Sequence, residues 1–359
     1  MKKVLVLLLA LSMVLCFFGC GSNDDGEEAA TDTFEVAMVT DTGTIDDKSF
    51  NQGTWEGVKE FAEDNDLTYK YYQPTEDSAD ARMEQIDLAV TNGAKVVATP
   101  GFLFEDTIFE AQDKYPDVKF ILIDGNPHDA DYNYRTEDNA VGILFAEEEV
   151  GYLAGYSAVK EGYTKLGFMG GMAVPPVVRY GYGYVKGAND AAKEMGIDVE
   201  MKYHYTGGFT ASPDIQTKAA SWYAAGTEVI FSCGGGIFDS ISAAAESSEA
   251  DVIGVDVDQS SQSDTVITSA MKGLKVAVVK ALEAYKNDEF PGGEAWVLGA
   301  KEDGIALAME TSQFEVFTQE DYDALYEELI SGDIKIPVDT DVESAKDIDV
   351  TNVTVEIVE

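Results

Sequence analysis

Cysteine and histidine are scarce in this chain of 359 residues, which contains three cysteines and two histidines. Only Cys233 lies beyond residue 20, so the rest of the chain cannot form an intramolecular disulfide and needs a hydrophobic core to hold it together. His128 and His204 are isolated, and the sequence contains no nucleophile elbow and no His-Glu-x-x-His motif. We therefore expect no catalytic residues, and a binding protein rather than an enzyme.

Positively charged residues are also few. The 24 lysines and arginines are set against 67 aspartates and glutamates, which gives a formal net charge of −43. Nucleic acid and anionic membrane surfaces are poor partners for such a chain. The sequence has no cluster of lysines or arginines that would make a basic pocket, so we expect a neutral ligand. The acidic run at Asp256 lacks the glycine and the distant glutamate of a calcium loop, and we predict no metal ion and no cofactor.

A long apolar run occurs only at the amino terminus, where residues 4–18 follow a short basic head and lead to Gly19 and Cys20. The run is too short to span a bilayer comfortably and predicts a signal peptide over residues 1–19. A cysteine after a small residue at this place is typical of a lipoprotein processing site. We therefore expect lipid on Cys20, a flexible acidic tether over residues 20–33, and a location on the extracytoplasmic face of the cell membrane. The alternative is a plain cleaved signal with Cys20 lost or unmodified.

Strand-like and helix-like segments alternate from residue 34 onward in two series, the first over residues 34–124 and the second over residues 146–256. Such alternation predicts parallel sheets with helices on both faces, and its repetition predicts two similar lobes. Several crossings between the lobes would form a hinge, and the cleft between them is the expected binding site. We expect lobe 1 to contain residues 34–140 and about 265–292, and lobe 2 to contain residues 141–264 and about 293–359.

The most informative segment is residues 41–52, which follow the first predicted strand and lead into an amphipathic helix. Ligands bind at the carboxyl ends of the strands in open α/β sheets. Three aspartates end strand or loop segments in this way, Asp41, Asp124 and Asp256. If these ends face the cleft, their carboxylates can accept hydrogen bonds from a vicinal diol. The alternative is that each aspartate caps a following helix or turn.

Two phenylalanines stand among polar and glycine residues near strand ends, Phe50 and Phe209. One ring from each lobe would close on both faces of a planar base, although a phenylalanine is more often a core residue. Residues 232–236, Ser-Cys-Gly-Gly-Gly, follow a predicted strand and open a helix, where backbone approaches a ligand closely. Lys272 would donate to a ligand hydroxyl and pair with a carboxylate; the alternative is a solvated surface lysine.

Ordered motifs run through nearly all of the mature chain, at residues 41–57, 145–155, 170–172, 207–209, 254–259 and 268–272. Together they closely resemble the basic membrane protein family, lipoprotein substrate-binding components of ABC transporters for nucleosides. The resemblance implies a type I periplasmic-binding-protein fold, in which two doubly wound parallel-sheet lobes are joined by a multi-strand hinge. It also implies purine nucleosides as favoured ligands, an ABC permease as partner and a monomeric protein.

By the same resemblance, Phe50 and Phe209 would hold the base between them, while Asp41 and Asn51 would read its edge. Asp124, Asp256 and Lys272 would hold the ribose hydroxyls, and Gly236 would let the backbone come close. Two other functions remain open from the residues alone. One is binding of another neutral ligand, such as a sugar or a nucleobase, and the other is hydrolysis of nucleosides.

Overall fold

The computed structural model describes residues 34–359. The predicted signal peptide, Cys20 with its lipid, and the acidic tether over residues 20–33 lie outside the described residues and stay predictions. None of the helices from residue 34 onward combines the length and the hydropathy that a membrane crossing requires.

Lobe 1 is built on a six-stranded sheet with the strand order β11-β5-β4-β3-β1-β2, all of it parallel. Its helices α1 and α8 lie against each other, and α2 packs beside α3. The elements of this lobe are β1 (Val36–Val39), α1 (Phe50–Asp64), β2 (Tyr69–Tyr72), α2 (Ala79–Thr91), β3 (Val96–Pro100), α3 (Glu105–Lys114), β4 (Lys119–Ile123), β5 (Ala140–Phe145), α8 (Leu274–Lys286) and β11 (Glu294–Leu298).

Lobe 2 has a seven-stranded sheet with the order β12-β10-β9-β8-β6-β7-β13, in which only the β10–β12 pair is antiparallel. Its elements are α4 (Glu147–Glu161), β6 (Lys165–Gly170), α5 (Pro175–Met195), β7 (Val199–Tyr205), α6 (Pro213–Ala224), β8 (Val229–Cys233), α7 (Ile237–Ser248), β9 (Asp251–Asp256), β10 (Val266–Lys272), β12 (Ile305–Leu307), α9 (Gln319–Ser331) and β13 (Val353–Ile357).

The two lobes share one topology. The first five strands of each lobe lie in the spatial order second, first, third, fourth, fifth, which is the doubly wound order with a switch point between the first and third strands. The central strands β3 and β8 are buried at every residue, as expected for parallel strands that helices cover on both faces. The predicted fold class, two doubly wound lobes with a multi-strand hinge, is confirmed.

The chain crosses between the lobes three times within residues 34–359, after β5, after β10 and after β11. These crossings differ from the expected division of the chain. Strand β5 pairs with β4 in lobe 1, β10 pairs with β9 in lobe 2, and β11 pairs with β5 in lobe 1. The reason is that each lobe completes its fifth parallel strand before the chain leaves it, and β11 then covers the open edge of β5.

Helices α4 and α5 pack at the closest distance that backbone allows. A Cβ added at Gly155 would lie 2.1 Å from the Tyr184 carbonyl oxygen, and one added at Gly187 would lie 2.0 Å from the Tyr152 carbonyl oxygen. Glycine is required here because any side chain would push the helices apart.

Candidate functional site

A cavity of about 480 Å³ lies between the lobes, at the carboxyl ends of both parallel sheets. Loops after β1, β3 and β4 line it from lobe 1, and loops after β6, β7, β8 and β9 line it from lobe 2. Both switch points therefore face the same space, which is where open α/β sheets bind ligands. All eight expected ligand residues line this cavity, namely Asp41, Phe50, Asn51, Asp124, Phe209, Gly236, Asp256 and Lys272.

Asp47, which was not among the expected ligand residues, fixes the loop before α1. Its Oδ1 accepts hydrogen bonds from the backbone N–H groups of Ser49 and Gln52, both at 3.0 Å, and its Oδ2 accepts from that of Asn51 at 3.0 Å. These groups belong to the first turn of α1, where backbone N–H groups have no partner within the helix. Asp47 thus caps the helix and fixes Phe50, its first residue, at the cavity.

Asn51 and Asp41 present hydrogen-bond acceptors on one side of the cavity. The Asn51 amide nitrogen donates to Asp41 Oδ1 at 2.9 Å and to Asp47 Oδ2 at 3.1 Å. Two carboxylates fix the direction of the amide, because its oxygen would be repelled by both of them. Asn51 Oδ1 is left buried without a hydrogen-bond partner among residues 34–359. Burial raises the pKa of Asp41, against the opposing effect of the bond from Asn51.

The two predicted aromatic residues come from opposite lobes. Phe50 begins α1 in lobe 1, and Phe209 lies in the loop after β7 in lobe 2; both rings are half-buried and line the cavity. The ring of Phe209 rests on the backbone of Gly171, where an added Cβ would lie 2.3 Å from Cδ1 of the ring. Gly236 leaves room for the same loop, because its Cβ would lie 2.9 Å from the Phe209 carbonyl oxygen.

Asp124 and Asp256 occupy equivalent places, each at the end of the fourth strand of its lobe. Both have left-handed backbone, with φ of 58° at Asp124 and 67° at Asp256. Aspartate adopts this conformation more readily than most residues. The shared turn directs both residues to the cavity. This equivalence explains why two aspartates that are far apart in sequence meet at one site.

Lys272, the last residue of β10, joins these carboxylates into a buried cluster. Its Nζ bonds to Asp124 Oδ2 and lies 3.1 Å from Glu147 Oε1. Burial works against its charge, but the carboxylates of Asp124, Glu147 and Asp256 raise the pKa of Lys272 above its ordinary value. Burial raises the pKa of Asp124 to about 7, and its Oδ1 has no hydrogen-bond partner in the described part of the chain.

The lobes also bond to each other directly beside the cavity. Ser49 Oγ donates to Asp256 Oδ2 at 2.6 Å, and the Gln259 side-chain amide donates to the Lys48 carbonyl oxygen at 2.9 Å. Neither Ser49 nor Gln259 was among the expected site residues, although both lie inside the motifs at 41–57 and 254–259. These bonds hold the cavity half-enclosed.

The family model of ABC transporter substrate-binding proteins described as PnrA-like, abbreviated Bmp, matches residues 34–340. The chain belongs to this family. The family consists of substrate-binding proteins, and it is not an enzyme family.

Two curated relatives and one solved structure illustrate the similarity. The ABC transporter nucleoside-binding protein BmpA of Lactococcus lactis is 30% identical over 343 residues, which cover 88% of this chain and 94% of the relative. Basic membrane protein A of Borreliella burgdorferi is 30% identical over 345 residues, covering 94% and 96%. A solute-binding protein of an ABC transporter system from Aeropyrum pernix K1 superposes with a TM-score of 0.74 at 27% identity, over 87% of this chain and 95% of that one. The predicted resemblance to the basic membrane protein family is confirmed.

Proposed function

We propose that this substrate-binding protein captures nucleosides, with purine nucleosides favoured, and delivers them to an ABC permease. The proposal rests on one observation, the meeting of two aromatic rings from opposite lobes with two unpaired buried acceptors, Asn51 Oδ1 and Asp124 Oδ1, in a single cavity. The relative from Lactococcus lactis carries nucleoside binding in its name, which supports the same ligand class. The cavity volume of about 480 Å³ lies within the usual range for small-molecule sites.

The base is proposed to stack between Phe50 and Phe209. Stacking of an aromatic side chain on a base contributes about 1 to 3 kcal/mol for each contact. Asn51 Oδ1 then accepts a hydrogen bond from a donor group on the base edge, beside the carboxylate of Asp41. A buried acceptor without a partner is costly, so a ligand that donates a hydrogen bond to it binds more tightly.

The ribose is proposed to bind at the cluster of Asp124, Asp256 and Lys272. Asp124 Oδ1 and the free oxygen of Asp256 accept from the sugar hydroxyls, and Lys272 donates to one of them. Because Asp124 belongs to lobe 1 and Asp256 to lobe 2, one ribose bonds to both lobes. The ligand thereby favours the closed arrangement that a permease recognises.

We further propose that the protein is a monomer anchored to the extracytoplasmic face of the cell membrane by lipid on Cys20. The basis is the sequence around Cys20, since the described residues begin at Phe34. Metabolic labelling with a fatty acid analogue tests the anchor, with Cys20→Ser as control. Labelling of the variant at the level of the natural chain would refute it.

Calorimetric titration of residues 34–359 tests the ligand class. The sample is first unfolded and refolded to remove carried-over ligand. The panel contains adenosine, guanosine, inosine, cytidine, uridine, ribose and adenine. Tight one-to-one binding of purine nucleosides, with weak binding of ribose and adenine, is the expected result. Tight binding of ribose or adenine alone would indicate that the natural ligand is a sugar or a nucleobase. No detectable binding of any compound in the panel would refute the proposal.

The same samples test for an enzyme. Nucleosides incubated with the protein and with calcium are expected to be recovered intact, because capture for transport involves no bond cleavage. Release of free base and ribose, measured by chromatography, would favour nucleoside hydrolysis instead.

A further inference from the structure

Glu147 is a buried carboxylate that neither the expected site nor the proposed function uses. It is fully buried as the first residue of α4, directly after the first crossing between the lobes, and it does not line the cavity. A buried carboxylate is costly unless it is paired and hydrogen-bonded. The partners of the Glu147 carboxylate therefore indicate its role.

Two cations flank the Glu147 carboxylate: Arg179 forms a hydrogen bond, whereas Lys272 pairs by charge with Oε1, which accepts no hydrogen bond within residues 34–359. Arg179 Nε donates to Oε2 at 2.6 Å, and Lys272 Nζ lies 3.1 Å from Oε1. Burial alone would raise the pKa of Glu147, but the charges of Lys272 and Arg179 outweigh it and lower that pKa. Arg179 is anchored in turn by Asp339, at 3.1 Å from Nη1. Glu147 is thus a fixed negative charge on the side of Lys272 that faces lobe 2.

The Lys272 ammonium has a second carboxylate partner, Asp124, on the side of lobe 1. Aromatic rings enclose the remaining space, with centroids 5.3 Å from Nζ for Phe50, 5.6 Å for Phe145 and 5.3 Å for Tyr180. In this arrangement Lys272 engages only Oδ2 of Asp124, and Oδ1 stays without a partner. A lysine has a long flexible side chain with a point charge, so its position is set by whatever carboxylates attract it.

We propose that Glu147 is a positioning residue, which draws Lys272 away from Asp124 Oδ1 and so keeps that oxygen available for a ligand hydroxyl. Without the Glu147 charge, Asp124 is the strongest remaining attraction on Lys272, ahead of Asp256, and the ammonium moves onto both oxygens of Asp124. The hydroxyl then loses its acceptor, although neither Asp124 nor Lys272 has changed. The inference rests on the proposed binding of nucleosides.

The experiment compares Glu147→Gln with the natural chain, using a purine ribonucleoside and its 2′,3′-dideoxy analogue as ligands in calorimetry. The variant is expected to bind the ribonucleoside about tenfold more weakly or worse, since a hydrogen bond to a charged group is lost. The dideoxy analogue, which makes no such bond, is expected to change by less than about twofold. The preference for ribonucleoside over dideoxynucleoside therefore collapses.

Glu161→Gln is the matched control, because it makes the same change at the other end of α4. There the carboxylate accepts bonds from the backbone of Val316 and Phe317, away from the cavity. This variant is expected to keep the natural preference. If Glu147→Gln does not fold, Glu147→Gln/Arg179→Gln removes both charges of that ion pair. The variant leaves only the partly exposed Asp339 without its arginine, and it is expected to show the same collapse.

Equal weakening of both ligands in Glu147→Gln would mean that Glu147 only supports the fold of the cavity, and would overturn the inference. An unchanged ribonucleoside affinity would overturn it as well. A natural chain that binds no nucleoside at all would instead refute the proposed function. The two failures are therefore distinguishable in one set of titrations.

Discussion

Gly171→Ala is expected to weaken nucleoside binding although residue 171 does not line the cavity. The added Cβ would lie 2.3 Å from Cδ1 and 2.4 Å from Cε1 of the Phe209 ring. Ordinary contacts between carbon atoms begin near 3.5 Å, so the ring must move by about 1 Å. The substitution therefore displaces one of the two proposed stacking rings without removing any group that touches the ligand.

The size of the effect follows from the stacking contact. A stacked ring contributes about 1 to 3 kcal/mol, and a gap of about 0.5 to 1 Å forfeits a quarter to a half of the attraction between the atoms. The expected loss is therefore about 0.3 to 1.5 kcal/mol, which raises Kd about 2- to 12-fold. Phe209→Ala removes the whole contact, with a loss of about 1 to 3 kcal/mol.

A double-mutant cycle measured by calorimetry tests this reasoning. In the Phe209→Ala background, Gly171→Ala is expected to cost nothing further, because the ring that it displaces is gone. Two results would refute the argument: an unchanged Kd for Gly171→Ala alone, or an equal loss in the presence and absence of the ring. Near-ultraviolet circular dichroism of each variant checks that the fold is retained.

Three further predictions concern pH and packing. Burial raises the pKa of Asp124 to about 7. Because a carboxylate accepts hydrogen bonds better than a protonated carboxyl group, nucleoside affinity is expected to rise about tenfold between pH 6 and pH 8. If Asp124→Asn shows the same rise in affinity, Asp124 is not the group that causes it. Burial and the neighbouring Glu147 raise the pKa of Glu148 to about 7, so the folded state prefers the protonated side chain and loses stability as the pH rises from about 4.5 to 7. Denaturant unfolding is therefore expected to show Glu148→Gln about 1 to 3 kcal/mol more stable at pH 8 and little changed at pH 4.5, whereas an equal gain at both pH values would count against it. Gly155→Ala places a Cβ 2.1 Å from the Tyr184 carbonyl oxygen and is expected to lower the free energy of unfolding by about 1 to 3 kcal/mol. An unchanged unfolding midpoint would show that α4 and α5 move apart without loss of stability.

The sequence was sufficient for those parts of the fold and site that depend on local order along the chain. Phe50 and Asn51 stand at the end of the loop that follows the buried strand β1, and a loop in that place must open at the carboxyl edge of the sheet. The same argument placed Asp124 and Asp256. Strands β5 and β10 were not predicted, because each joins the neighbouring strand without a helix of its own in front of it.

The remaining features depend on contacts between distant parts of the chain. Glu147 is the first of three consecutive glutamates at the start of α4, and nothing local indicates that Lys272 and Arg179 converge on it. Gly171 reads as a turn residue until Phe209 is seen lying on it. Sequence periodicity reports which face of an element is buried, but it does not report which side chain of a distant element packs there.

Strands from late in the chain complete the outer edges of both sheets. Strand β11 covers β5 in lobe 1, and β13 covers β7 in lobe 2. An uncovered strand edge invites pairing with other chains. During synthesis or export, β5 therefore stays an uncovered edge strand until residue 298 has emerged, and β7 until residue 357. Neither lobe completes its sheet before the chain has passed through the other lobe. A truncated chain is therefore expected to aggregate, and not to leave one folded lobe.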